Sequence, residues 1–143
     1  MDIVYSLPFV SPANVLLCSI AIAAILIYLP YIVVATGRAR LGYDMAAPRA
    51  MFDKLPDYAQ RATWAHQNAF ESFVLYAPAA LMAFVVGLPP EQVLSTVVIY
   101  LAARLTYPLA YILNVPILRS LSWAVSMGSI FSLYLNSIQA TFV

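Results

Sequence analysis

Four long apolar stretches, nearly free of ionisable side chains, take up most of this chain, and they constrain its fold more than any other feature. They run from about Val15 to Thr36, Asp57 to Val86, Glu91 to Leu113 and Pro116 to Thr141. A helix needs about 20 predominantly apolar residues to cross hydrocarbon, and each stretch can supply them. Lipid offers no hydrogen bonds to the backbone, so a spanning chain must be helical or close into a barrel. The short alternating strands of a barrel are absent from the sequence. Pro30 is expected to kink the first stretch. Gly87-Leu88-Pro89-Pro90-Glu91 reads as a tight turn, and Pro116 suits the first turn of a helix. The expectation is a single domain over residues 1–143, an all-α integral membrane protein built as a four-transmembrane-helix bundle.

Composition agrees. Hydrophobic residues make up 64% of the chain and charged residues 9%, against about a quarter charged in soluble domains. Lipid is the expected solvent, and membrane lipids are the first expected partners. A net charge of +1 leaves no basic surface for a nucleic-acid backbone, so no nucleic-acid partner is expected. Cys18 is the one cysteine and His66 the one histidine, which excludes an intrachain disulfide, a cysteine cluster and a two-histidine metal site. No Lys or Arg precedes the first apolar run, whose first charge is Asp2, so that run is expected to be a retained span rather than a cleaved leader.

Charge placement gives an orientation. Arg38, Arg40, Arg49, Lys54 and Arg61 fall between the first and second stretches, and Arg119 follows the loop between the third and fourth. Neither terminus carries Lys or Arg, nor does the turn around Leu88. By the positive-inside rule the first and third loops face the cytoplasm, and both termini face away from it.

Ionisable residues inside a span are costly, and by default they mark function. On a helical wheel Trp64, Gln67, Asn68 and Glu71 share one face of the second helix, and His66 points elsewhere. Arg104, Tyr107 and Tyr111 share a face of the third. Counted from the connecting turn, Glu71 lies roughly 24 Å down its helix and Arg104 roughly 20 Å down the next. The two faces therefore meet at similar depth in the cytoplasmic half. A polar pocket is expected there, with Glu71 paired either to Arg104 or to a cationic group on a ligand. The alternative is that Asn68, Glu71 and Arg104 only hold helices together.

Other residues carry a plainer reading. His66 is expected to pack, Cys18 to be a small buried hydrophobe, and Trp64 and Trp123 to be interface anchors. Arg38, Arg49 and Lys54 read as orientation and headgroup charges. Ser120 and Ser122 have no histidine partner in sequence, and no phosphate loop or dinucleotide fingerprint occurs. A channel or transporter has little support, since there is no internal repeat and the charges gather at one end.

Several ordered motifs resemble the MAPEG family, the membrane-associated proteins in eicosanoid and glutathione metabolism. Arg61-Ala62-Thr63-Trp64-Ala65-His66-Gln67-Asn68-Ala69-Phe70-Glu71 resembles the family's second-helix signature. Thr36-Gly37-Arg38-Ala39-Arg40-Leu41 is similar to the end of its first helix. Arg104-x-x-Tyr107-x-x-x-Tyr111, then Pro116-x-x-Arg119-Ser120, resembles its third helix and the start of its fourth. The wording is most similar to the bacterial branch, which implies the bacterial inner (cytoplasmic) membrane.

The resemblance implies a homotrimer with glutathione bound between subunits near the cytoplasmic side. It implies a transferase or peroxidase-like enzyme acting on a lipophilic small molecule, an electrophile or lipid hydroperoxide. On matching positions Asn68 and Glu71 would hold glutathione's polar backbone, and Arg40 and Arg104 would meet its carboxylates. Tyr107 and Tyr111 would add hydroxyls. Arg119, the implied catalytic residue, would favour the thiolate, which is the nucleophile. No metal is implied. The resemblance equally admits a non-catalytic lipid-binding or structural subunit of a larger assembly. Trp64 and Gln67 stand where well-studied members commonly carry arginine. Val74 and Leu75 replace an expected proline, and Trp123 replaces a tyrosine.

Overall fold

The structure, a computed structural model, describes residues 11–142. Asp2 and the amino-terminal stretch behind the retained-span argument lie outside the described residues. Four long helices follow one another: α1 (Pro12–Arg40), α2 (Asp57–Val86), α3 (Pro90–Ile112) and α4 (Pro116–Ala140). A short 3-10 helix, Pro48–Lys54, lies between α1 and α2. Among the described residues there is no strand.

Local chemistry sets the ends. The Ser11 hydroxyl accepts from the Asn14 N–H at 3.2 Å, and Pro12 opens α1. Arg38 and Arg40 fall in its last turn, where cations complement the helix dipole. Gly87, at φ 71°, takes the left-handed cap of α2, and the Leu88 N–H reaches back to the Ala83 carbonyl. Pro90 then starts α3. Between α3 and α4, Asn114 adopts φ 58°, a conformation asparagine tolerates better than most residues.

In cross-section α1 packs chiefly on α2, and α3 on α4, while α2 also meets α4 and α1 meets α3. Small residues allow these close approaches. Ala59, Ala62 and Ala65 are buried on α2, and a Cβ built on Gly37 would stand 3.1 Å from that of Ala59. On α4, buried Ser122, Ser126 and Ser129 each return a hydroxyl hydrogen bond to their own helix. At the centre Tyr76 and Tyr100 stack with ring centroids 3.6 Å apart, and their hydroxyls meet Ser19 and Ser72.

α1 continues through Pro30, and α2 through Pro78. A proline ring removes one backbone donor and pushes the preceding turn apart, leaving carbonyls short of partners. Neighbouring helices can re-satisfy such carbonyls in a membrane. His66 Nδ1–H on α2 donates to the Ile27 carbonyl of α1 at 2.7 Å, and Tyr134 on α4 donates to the Leu75 carbonyl of α2 at 3.0 Å. Each acceptor lies three residues before its proline, next to the carbonyl that the missing N–H leaves unpaired and in the turn that the ring pushes apart.

By length and composition α1, α2 and α3 are apolar enough to cross a membrane; α4, interrupted by Ser120, Ser122, Ser126, Ser129, Ser132 and Ser137, is not among them. Cys18 is exposed on α1 rather than buried, because its helical position faces away from α2 and α3.

Candidate functional site

The two polar faces do meet. Asn68 stands between Arg104 and Glu71: the Arg104 guanidinium donates to its Oδ1 at 3.1 Å, and its own Nδ2 donates to Glu71 Oε2 at 3.1 Å. Of the two partners expected for Glu71, Arg104 reaches it through the Asn68 amide, and a ligand cation remains the other. Arg104 is only 5% exposed, so the relay gives an otherwise buried cation an acceptor. Glu71 is exposed at the other end of the relay. Its carboxylate is available to a group from outside the protomer.

Around this relay lies a groove with two connected arms. One arm, of about 370 Å³, is lined by Trp64, Gln67, Asn68, Glu71, Tyr107 and Tyr111. The other, of about 340 Å³, is lined by Asn68, Tyr107, Tyr111, Arg119, Ser120 and Trp123. Asn68 and the two tyrosines belong to both. Tyr107 and Tyr111 sit edge to face at 5.6 Å, one helical turn apart on α3. Arg104 lies over the Tyr107 ring and Arg119 over the Tyr111 ring, each 4.8 Å from the centroid. Such cation–π contacts hold a guanidinium in place without neutralising it.

The helix ends fix this geometry. Arg61 Nε donates to the Ile112 carbonyl at 3.1 Å, tying the start of α2 to the end of α3. Phe52 of the 3-10 helix packs on Trp64, which in turn approaches Tyr111. The turn through Asn114 then brings Pro116 and the first turn of α4, with Arg119, back over α3.

Of the residues singled out in the sequence, Asn68, Glu71, Tyr107, Tyr111 and Arg119 line the groove, and Arg104 supports it from beneath. Arg40 is not among the lining residues; it is exposed in the last turn of α1. Trp64 and Trp123, read as interface anchors, are walls of the groove. Arg38, read as a headgroup charge, is buried. Ser120 reaches the groove although no triad was legible around it, and the signal that could have found it is its place one residue after Arg119. Among the described residues no group of three His, Cys, Asp or Glu side chains comes together.

Chemically, the groove offers a carboxylate at one end, a guanidinium at the other, and an amide and two phenols between them. That order suits a zwitterionic ligand laid lengthwise, with aromatic walls for an apolar companion. No curated protein and no solved structure matches the sequence. The model of the MAPEG family matches residues 15–138, which take in nearly all of the four helices and the whole groove, and the chain belongs to that family.

Proposed function

We propose that the protein is a membrane-bound, glutathione-dependent transferase or peroxidase-like enzyme acting on lipophilic electrophiles or lipid hydroperoxides. Family membership supports the class of activity. The observation that carries the reading is the single groove that places the exposed Glu71 carboxylate and the Arg119 guanidinium at opposite ends of a hydrogen-bonding wall. Glutathione supplies a thiol nucleophile when bound.

The donor set fits such a ligand. Glu71 accepts from its ammonium group, and Asn68, held in orientation by Arg104, contacts its amide backbone. Arg119 and the Tyr111 hydroxyl stabilise negative charge on sulfur, because a cation favours the thiolate and exclusion of water strengthens that attraction. Trp123 and the neighbouring exposed apolar surface of α4 receive the lipophilic partner arriving from the bilayer.

The groove is open on the protomer surface. A second copy of the chain laid against α2 would cover it, which supports a homotrimer with the ligand between subunits. The cluster of Arg38, Arg40, Arg49, Lys54 and Arg61 supports a cytoplasmic groove end, with α4 as a fourth span and both termini opposite.

A second reading has one observation in its favour. Arg119 is the one guanidinium among the groove's described lining residues, which leaves few cations for the carboxylates of glutathione. That favours a non-catalytic, lipid-binding or structural subunit. Calorimetry of glutathione binding to the protein in lipid nanodiscs separates the two. Binding that disappears in the Asn68→Ala/Glu71→Ala variant supports the enzyme; no binding at millimolar glutathione overturns it.

A further inference from the structure

Arg104 also borders a much smaller cavity between α1, α2 and α3, with about 10 Å³ of room for a water centre, enough for one molecule. Ala23 and Leu26 of α1, Ala69 of α2, and Pro108 of α3 line it with Arg104. Leu26 and Arg104 each mark a gap in a backbone ladder. Pro30, inside α1, has no N–H for the carbonyl four residues back, that of Leu26. Pro108, inside α3, likewise withdraws the donor of the Arg104 carbonyl. Both prolines are buried. Side chains do cross between helices to the Ile27, Leu75 and Ile112 carbonyls, but none among the described residues reaches that of Leu26 or Arg104.

The third polar group at this cavity is the Arg104 guanidinium, which has five N–H donors. Arg104 is 5% exposed, and its one hydrogen bond among the described residues runs to Asn68 at 3.1 Å. The Tyr100 ring also borders the cavity, but its hydroxyl is engaged by Ser72 at 3.3 Å. Two acceptors and a donor thus remain to be matched, and leaving them unpaired in the interior is costly. An anion would face two carbonyl oxygens, and a cation would face the guanidinium. Water both accepts and donates, so it suits all three. Buried waters typically make about three hydrogen bonds, and in membrane helices they re-satisfy carbonyls freed by proline.

We propose that this cavity binds one ordered water, which accepts from Arg104 and donates to the Leu26 and Arg104 carbonyls. The water joins α1 to α3 where both ladders are broken. It also gives the guanidinium a second partner and so steadies the group that orients Asn68. The inference does not depend on what occupies the groove.

The test is magnetisation transfer from water to alanine methyls, by NMR of the full chain in deuterated nanodiscs. The Ala23 methyl, 4% exposed, should receive transfer in the wild type. Ala69→Cys puts a thiol into the space of the water and leaves Arg104 in place, so the transfer should fall severalfold. Transfer unchanged in Ala69→Cys would come from the exchanging protons of Arg104 itself, and it overturns the proposal, as does no transfer in the wild type. Melting in one detergent gives a second reading. Ala69→Ser, whose hydroxyl can take over bonds of the water, should melt roughly 2–4 °C above Ala69→Cys. Ala69→Cys melting at or above Ala69→Ser would mark a dry cavity filled by an apolar group, which also overturns the proposal. If Ala69→Cys does not fold, Pro30→Ala/Pro108→Ala returns an N–H to each carbonyl with Arg104 still present. Transfer to Ala23 should then weaken severalfold, and unchanged transfer overturns the proposal.

Discussion

Asn68 connects a buried charge to an exposed one through a single amide, and no other side chain in the groove has both jobs. Asn68→Leu removes the acceptor of a guanidinium that is almost wholly buried. Such a loss costs about 1–3 kcal/mol, and more where the stranded group is charged. Adding Arg104→Met should recover part of that stability, because it removes the stranded charge as well; thermal melting in one detergent compares the three proteins. For catalysis, Glu71→Ala should chiefly weaken glutathione binding, whereas Arg119→Ala should chiefly lower turnover at saturating thiol. Steady-state kinetics with calorimetry would show the split, and equal losses in both parameters would contradict it. These residues were legible because three- and four-residue spacing puts them on one face of a helix whatever that helix packs against. Arg38 and Arg40 were not. Their exposure depends on where the α1–α2 connection folds back, and spacing within α1 carries no information about that.

At the scale of elements, the glycines separate two roles. Gly37 lets the end of α1 approach the start of α2, and an added Cβ would stand 3.1 Å from Ala59 and 3.3 Å from Leu55. Gly37→Val should therefore cost about 1–3 kcal/mol through overpacking. A Cβ on Gly128 of α4 would meet nothing within 4 Å. Gly128→Ala should instead stabilise by up to about 1 kcal/mol through helix propensity. Opposite shifts in melting temperature would confirm both, and a shared sign would refute the steric account of Gly37. The turns were readable in the sequence: Gly87 with two prolines after it ends α2 by chemistry local to the chain. On α4, Ser122, Ser126 and Ser129 interrupt the apolar sequence but are buried and bond their own helix, so hydrophobic runs understate how such a helix can pack.

The molecule gathers its exposed cations at one end and opens its groove sideways, on the surface formed by α2, α3 and the first turn of α4. If that end faces the cytoplasm, single cysteines at Asp44 and Glu91, in a Cys18→Ser background, should react with an impermeant maleimide from opposite sides of sealed vesicles. Labelling from the same side would rule out the orientation. The overall helical character was legible because lipid leaves a chain few alternatives. The ring of helix neighbours was not, since nothing in an apolar run says which helix it will touch. The donations from His66 to Ile27 and from Tyr134 to Leu75 bear on how such a chain can change over time. In each pair the remote donor cannot be lost without penalty while its proline remains. Replacing His66 by phenylalanine should be harmful beside Pro30 and nearly neutral beside alanine, whose helix would satisfy Ile27 from within. A double-mutant cycle would read this as a coupling between positions 36 residues apart, and it would make the order of substitution, rather than their sum, decide which descendants of this sequence still fold.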